Sequence, residues 1–278
     1  MHRTLPTLVA TLLFVAGAAA QSGLGKLDPS APAGKTAQEI VAEMGRKESA
    51  FAKARENYTF RQSVVMQTIN DDNGKPDGEY RQVTDIGFNR DGSRNETVVF
   101  APQNSLERVT LDQSDFDDLR LRLPLVLRTE DLPNYDVVYL GRQRVDDLDT
   151  YVFQATPKKM GKNQRYFEGR VWVDQKDLEI VLINGKNVPD DIKHGHFSVP
   201  YTTYYEQIDT VNWFPTYTRA EGTVHFLANN DQQANDIHMR NTVKYADYRR
   251  YRSSARIIYN GQDITDQAAP DAKQPAKP

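Results

Sequence analysis

Between Tyr58 and Tyr248 the apolar residues recur at every second position, in short runs separated by turn residues. Tyr58, Phe60, Val64 and Met66 alternate with Thr59, Arg61, Ser63 and Gln67. Ile237, Met239, Val243 and Tyr245 alternate with His238, Arg240, Thr242 and Lys244. A period of two marks a strand, because successive side chains point to opposite faces. The runs are separated by turn chemistry at 71–76, Asp91-Gly92, Asp146-Asp147 and 175–177, with Asn73-Gly74 a strong hairpin signal. The pattern predicts strands from Tyr58, then over 79–89, 96–101, 135–141, 150–156, 168–174, 178–186, 204–210, 214–228 and 237–248. The chain is rich in tyrosine, with 14 Tyr beside 11 Phe, which suits strands. No helix alternates with these strands, so a parallel nucleotide-binding sheet is not expected. Ten or eleven hairpin-linked strands make one antiparallel meander.

Several strands are apolar on both faces. Tyr151 and Phe153 oppose Val152, Val171 and Val173 oppose Trp172, and Leu178, Ile180 and Leu182 oppose Val181 and Ile183. A sheet with one wet face shows polar residues there. Two helices are available to cover the sheet. Thr36-Ala37-Gln38-Glu39 is a capping box, after which Ile40, Val41, Met44 and Phe51 form an apolar stripe opposite Glu43, Arg46, Lys47 and Lys53. Ser114 caps a short helix that leads into the leucine-rich stretch around Pro124. Two helices are too few to cover ten strands laid flat. A mainly β fold, its meander curled into a half-closed barrel with the long N-terminal helix and the short helix as lid, solves both problems.

The N-terminus reads as an export signal: Arg3, an apolar stretch from Leu5 to Ala16, then Ala18-Ala19-Ala20 before Gln21. Its apolar run is shorter than the roughly 20 residues a membrane span needs. The chain has no cysteine, so lipidation at the cleavage point, disulfides, thiolate zinc sites and cysteine nucleophiles are all excluded. The expectation is a periplasmic, unanchored, monomeric protein. It has a signal at 1–20, a flexible linker at 21–35, one domain at 36–265 and a disordered tail at 266–278. A formal charge of −3 gives no reason to expect nucleic acid as a partner.

Three segments resemble the LolA/LolB-like superfamily of lipoprotein carriers. Tyr139 to Pro157 carries its hairpin rhythm through Gly141, Val145, Asp146, Tyr151 and Phe153. Arg170 to Ile183 is similar to the next hairpin, and Asp209 to Thr218 to a later strand in which an aromatic precedes proline. The order of elements from Thr36 to Tyr251 is also the family's order. The chain departs from the family at Asp147, where the family turn has glycine. The family's strand arginine has only Arg61 and Arg90 as candidates. The resemblance implies a half-barrel of about eleven strands with a helical lid and an apolar cavity for acyl chains. The superfamily also includes periplasmic lipid-sensing regulators.

Motifs for chemistry are sparse. No nucleophile elbow, Walker loop, H-E-x-x-H or G-x-G-x-x-G occurs. His194 and His196, beside Asp190 and Asp191, form the one metal-like cluster, for which a metal-dependent hydrolase is the weakest of the readings. The acidic pairs at 71–72, 117–118, 146–147 and 190–191 sit where turns or a helix start account for them. Asn95-Glu96-Thr97 is a glycosylation sequon, relevant only to a eukaryotic secretory route. The expectation is a binding protein without cofactor, metal or catalytic residues. Lipid or lipoprotein acyl chains would lie among Phe60, Val64, Met66, Phe88, Trp172, Trp213, Tyr217 and Phe226. The alternative is an envelope sensor that contacts a membrane protein, or lipid head groups, through Arg249, Arg250 and Arg252.

Overall fold

Thr36 opens the first helix as its sequence predicts. Its hydroxyl accepts from the Glu39 N–H, and the Glu39 carboxylate accepts from the Thr36 N–H. The helix, α1, runs Ala37–Arg55. The computed structural model describes residues 23–89, 91–111, 113–117, 126–161, 164–190, 199–226, 235–250, 258–259 and 262–263. The expected export segment at 1–20 and the tail at 266–278 lie outside the described residues.

Ten strands follow: β1 (Tyr58–Ile69), β2 (Pro76–Phe88), β3 (Arg94–Phe100), β4 (Tyr135–Val145), β5 (Leu148–Pro157), β6 (Tyr166–Asp174), β7 (Ile180–Val188), β8 (Tyr201–Gln207), β9 (Trp213–Phe226) and β10 (Asn235–Arg250). A five-residue helix, α2 (Gln113–Asp117), lies between β3 and β4. A small separate hairpin pairs β11 (Ile258–Tyr259) with β12 (Gln262–Asp263). Every pairing in the large sheet is antiparallel. The mainly β, antiparallel, half-open barrel expected from the alternating pattern is the fold observed.

The strand order is β3-β2-β1-β10-β9-β8-β7-β6-β5-β4. Each strand from β4 to β10 pairs with its neighbour in sequence. The exception is the seam between β1 and β10, where Tyr58 faces Arg250 and Ile69 faces His238. Consecutive strands β3 and β4 therefore form the two opposite edges of the sheet, and the chain joining them must travel from one edge to the other. On its way Val126 and Leu127 enter the core, and the Thr129 N–H donates to the Gly45 carbonyl of α1.

The main core lies on the concave face. Phe60, Val64 and Met66 of β1, Tyr151, Phe153 and Ala155 of β5, Val171 and Val173 of β6, and Val243 and Tyr245 of β10 line it. Ile40 and Met44 of α1 pack into it and are fully buried. A smaller outer cluster holds Val145, Val152, Trp172, Val181 and Leu182. This second cluster accounts for the strands that read as apolar on both faces.

The polar lead-in has a defined place. Asp28 and Arg142 exchange backbone hydrogen bonds of 2.8 and 2.7 Å, Gly25 donates to Arg144, and Asp146 donates to Gly23. Leu27 packs on the outer cluster. The segment thus covers the open edge of β4, which would otherwise offer unpaired backbone groups to another chain. Gly141 permits the contact: its φ is +146°, and a Cβ there would stand 2.3 Å from the Asp28 carbonyl oxygen.

Candidate functional site

The inner face of α1 points into the barrel. Its buried positions are Ile40, Met44, Gly45, Glu48, Phe51 and Arg55, a spacing that keeps one stripe in line along the helix. Two of the six carry ionisable groups. Glu48 is 3% exposed and Arg55 9%.

Glu48 accepts from the Val126 backbone, while its second oxygen has no partner. Burial, with the Glu179 charge adding to it, pushes its pKa up to about 8, because an ionised carboxylate loses its hydration there. The Tyr205 hydroxyl is also buried without a partner, and its pKa is raised by burial and by Glu48.

Arg55 lies at the C-terminal end of the helix. Its Cζ stands 5.4 Å from the centre of the Phe88 ring. Nearby Arg94 places its own Cζ 5.9 Å from the Phe60 ring, donates to the Gln62 side chain at 3.0 Å and pairs with Glu96 at 2.6 Å. Phe60 stacks on Tyr248 at 5.2 Å and lies 6.3 Å from Tyr245. The Tyr248 hydroxyl donates to the Pro215 carbonyl. Beyond this group, Phe214 meets Phe51, Tyr58 and Tyr248 at centroid distances of 5.1, 4.7 and 4.6 Å. The barrel interior is thus apolar along α1 as far as Met44, then aromatic and cationic at the Arg55 end.

The residues expected to line a cavity divide between the faces. Phe60, Val64 and Met66 are buried together on the concave side. Phe88 is half-buried against the same core beneath Arg55. Trp213 touches both clusters. Trp172 belongs to the outer cluster and donates to Gln143 at 2.7 Å. It borders an outer groove of about 540 Å³ shared with Leu24, Leu182 and Tyr204. Tyr217 lies against Tyr204, 6.2 Å between ring centres, away from the interior. The Phe226 side chain lies outside the described residues.

Arg249 and Arg250 are exposed at the end of β10, while Arg252 lies outside the described residues. Of the strand-arginine candidates, Arg61 forms a two-pronged pair with Asp85 at 2.7 and 3.0 Å, and Arg90 lies outside the described residues. So do His194, His196 and Asp191. Asp190 pairs with Lys186 at 3.1 Å. Among the described residues no group of three metal-ligating side chains occurs. No helix among them is long and apolar enough to cross a membrane.

Glu48 and Arg55 are absent from the sequence expectation. The signal for them is the stripe itself: extending Ile40 and Met44 by four, seven and eleven residues reaches Glu48, Phe51 and Arg55. A search for apolar residues alone passes over charges on the buried face.

No protein-family model matches the chain, and no curated protein matches it. Among solved structures, a chain from the complex of Pseudomonas aeruginosa MucA and MucB is similar over 77% of this chain and 100% of its own, at 10% identity and a TM-score of 0.23. A chain from the crystal structure of MucB in complex with MucA(peri) is similar over the same shares, at 9% identity and a TM-score of 0.24.

Proposed function

We propose that the concave interior holds an acyl chain of a lipid or lipoprotein, with the N-terminal turns of α1 that carry Ile40 and Met44 and the 126–134 connection as a displaceable plug, while the end of the helix that carries Phe51 and Arg55 stays seated. The protein then acts as a soluble periplasmic binder or carrier and performs no covalent chemistry. The observation that supports this reading is how the interior is filled. A helix and a loop fill it, and the strands do not close over it. Among the described residues, α1 is tied to the 126–134 connection by hydrogen bonds from Thr129 to Gly45 and Ser49, from Ser49 to Glu130 and from Val126 to Glu48, and to the turn between β6 and β7 by the ion pair from Lys47 to Glu179 at 3.2 Å.

The magnitudes permit exchange. Re-exposing Ile40, Met44, Val126 and Leu127 costs about 1.5–3 kcal/mol each. A twelve-carbon chain buried in their place gains on the order of 9 kcal/mol. The two are comparable, so a ligand can replace the plug without unfolding the sheet.

Native mass spectrometry after incubation with dodecanol or phospholipid vesicles is expected to show stoichiometric adducts that survive removal of free lipid. Amide exchange in α1 should rise in the loaded protein. An adduct-free spectrum under both conditions would sink the reading.

A protein partner is the second reading, favoured by the outer edge of β3. Val98, Val99 and Phe100 are 55, 50 and 51% exposed there, and an apolar edge strand can accept a further strand. Wild-type protein is expected to retain a specific envelope protein that the Val98→Lys, Phe100→Lys double variant does not. Equal recovery by both would remove this reading.

A further inference from the structure

Arg55 is a buried cation without an acceptor. Its Nε and Nη1 have no hydrogen-bond partner, and its side chain forms no ion pair among the described residues. Phe88 offers the guanidinium the face of its ring, which attracts a cation but accepts no conventional hydrogen bond. The C-terminal dipole of α1 offsets part of the charge. The carboxylates on the same helix do not complete the pairing. Glu48 lies two turns away, roughly 10 Å along the axis, and its raised pKa keeps it protonated at neutral pH. The Glu56 charge partly offsets the lowering of the Arg55 pKa, but its carboxylate lies beside Gly92 and forms no ion pair with Arg55 among the described residues.

A second guanidinium, Arg94, is close enough to depress the Arg55 pKa after burial has done so. Two arginines, three aromatic rings (Phe60, Phe88 and Tyr248), a glutamine and the Glu96 carboxylate that pairs with Arg94 therefore converge at one end of the interior. A buried guanidinium left unpaired is costly, and its free donors match a planar or tetrahedral oxyanion.

We propose that Arg55, assisted by Arg94, seats the oxyanion of a ligand, a carboxylate or a phosphate. This rests on the acyl-chain reading for the source of the anion: an amphiphile lies with its chain in the space that Ile40 and Met44 vacate and its head group at Arg55, on the end of α1 that Phe51 holds against Phe214. The arrangement gives the interior a direction and selects singly charged amphiphiles over neutral ones of the same length.

The test compares dodecanoate, dodecanol and inorganic phosphate by isothermal titration calorimetry at pH 7.5, on the wild-type chain and on Arg55→Met. Dodecanoate is expected to bind about tenfold or more tightly than dodecanol, in line with a charge-assisted hydrogen bond. In Arg55→Met that ratio is expected to fall to near one, while Arg55→Lys keeps part of it. Thermal unfolding should show Arg55→Met at least as stable as wild type, because an unpaired buried charge has gone. If Arg55→Met does not fold, Arg94→Met reads the same ratio and should lower it. Equal affinity for dodecanoate and dodecanol overturns the seat and leaves the acyl-chain reading standing. A preference that survives both arginine replacements also overturns the seat. Arg55-dependent binding of phosphate, with neither amphiphile bound, supports the seat and overturns the acyl-chain reading. No binding of any probe overturns both.

Discussion

Glu48→Gln is expected to stabilise the protein by about 3 kcal/mol at pH 7, with a gain that grows as pH rises. The folded-state pKa of Glu48 is pushed up to about 8 from 4.5, with burial the main cause. Between those values the unfolded chain has released the proton and the folded chain still holds it. Folding therefore takes up a proton, and stability falls by about 1.4 kcal/mol per pH unit across the window. The favourable contribution is complete below pH 4.5 and is lost by the time pH passes 8. Glutamine has no proton to lose, and its carbonyl can still accept from Val126. Urea unfolding of both proteins at pH 5, 6, 7 and 8 measures the difference. A gap that stays constant over that range would show that Glu48 ionises as freely in the folded protein as in the unfolded chain.

Phe153→Ala is expected to cost about 4 kcal/mol. Phe153 is completely buried on the concave wall, with its ring edge-on to Tyr139 at 5.4 Å. Its neighbours along β5, Tyr151 and Ala155, are held in the sheet by pairing with both β4 and β6, so the wall cannot collapse into the space. The cost therefore includes a cavity as well as the lost transfer energy. Trp172→Ala should cost less despite the larger side chain, because the outer cluster is small and borders a groove open to water. Denaturant midpoints for the two variants test this order, and a larger loss at Trp172 would place the dominant core on the outer face.

Local chemistry was legible where it acts locally. The box at Thr36 and Glu39, the turn at Asn73-Gly74 and the period of two all depend on residues within a few positions of one another. The inward direction of a strand is not local. Trp172 and Val173 are both apolar, and alternation places them on opposite faces without saying which face is concave. The neighbour of β1 is likewise invisible in its own sequence, because β10 lies nearly the whole length of the domain away. The lead-in before Ala37 has the polar, Pro- and Gly-rich composition of a linker, and composition does not distinguish a free linker from a strap hydrogen-bonded along β4. The charged stripe positions Glu48 and Arg55 were written in the helical spacing, yet their residue types argued for solvent.

The seam between β1 and β10 has a consequence for how the chain is made. Synthesis delivers β1, β2 and β3 first, and they can form a three-stranded sheet within the first hundred residues. The free edge of β1 must then wait for residues 238–250, in the last strand of the large sheet to be made. Closing that contact spans most of the sequence, which is slow for a sheet of high contact order. Until it closes, an apolar strand edge remains open to the wrong partner. The early sheet is thus the stretch most in need of protection during biogenesis, and the arrival of β10 is the event that ends the exposure.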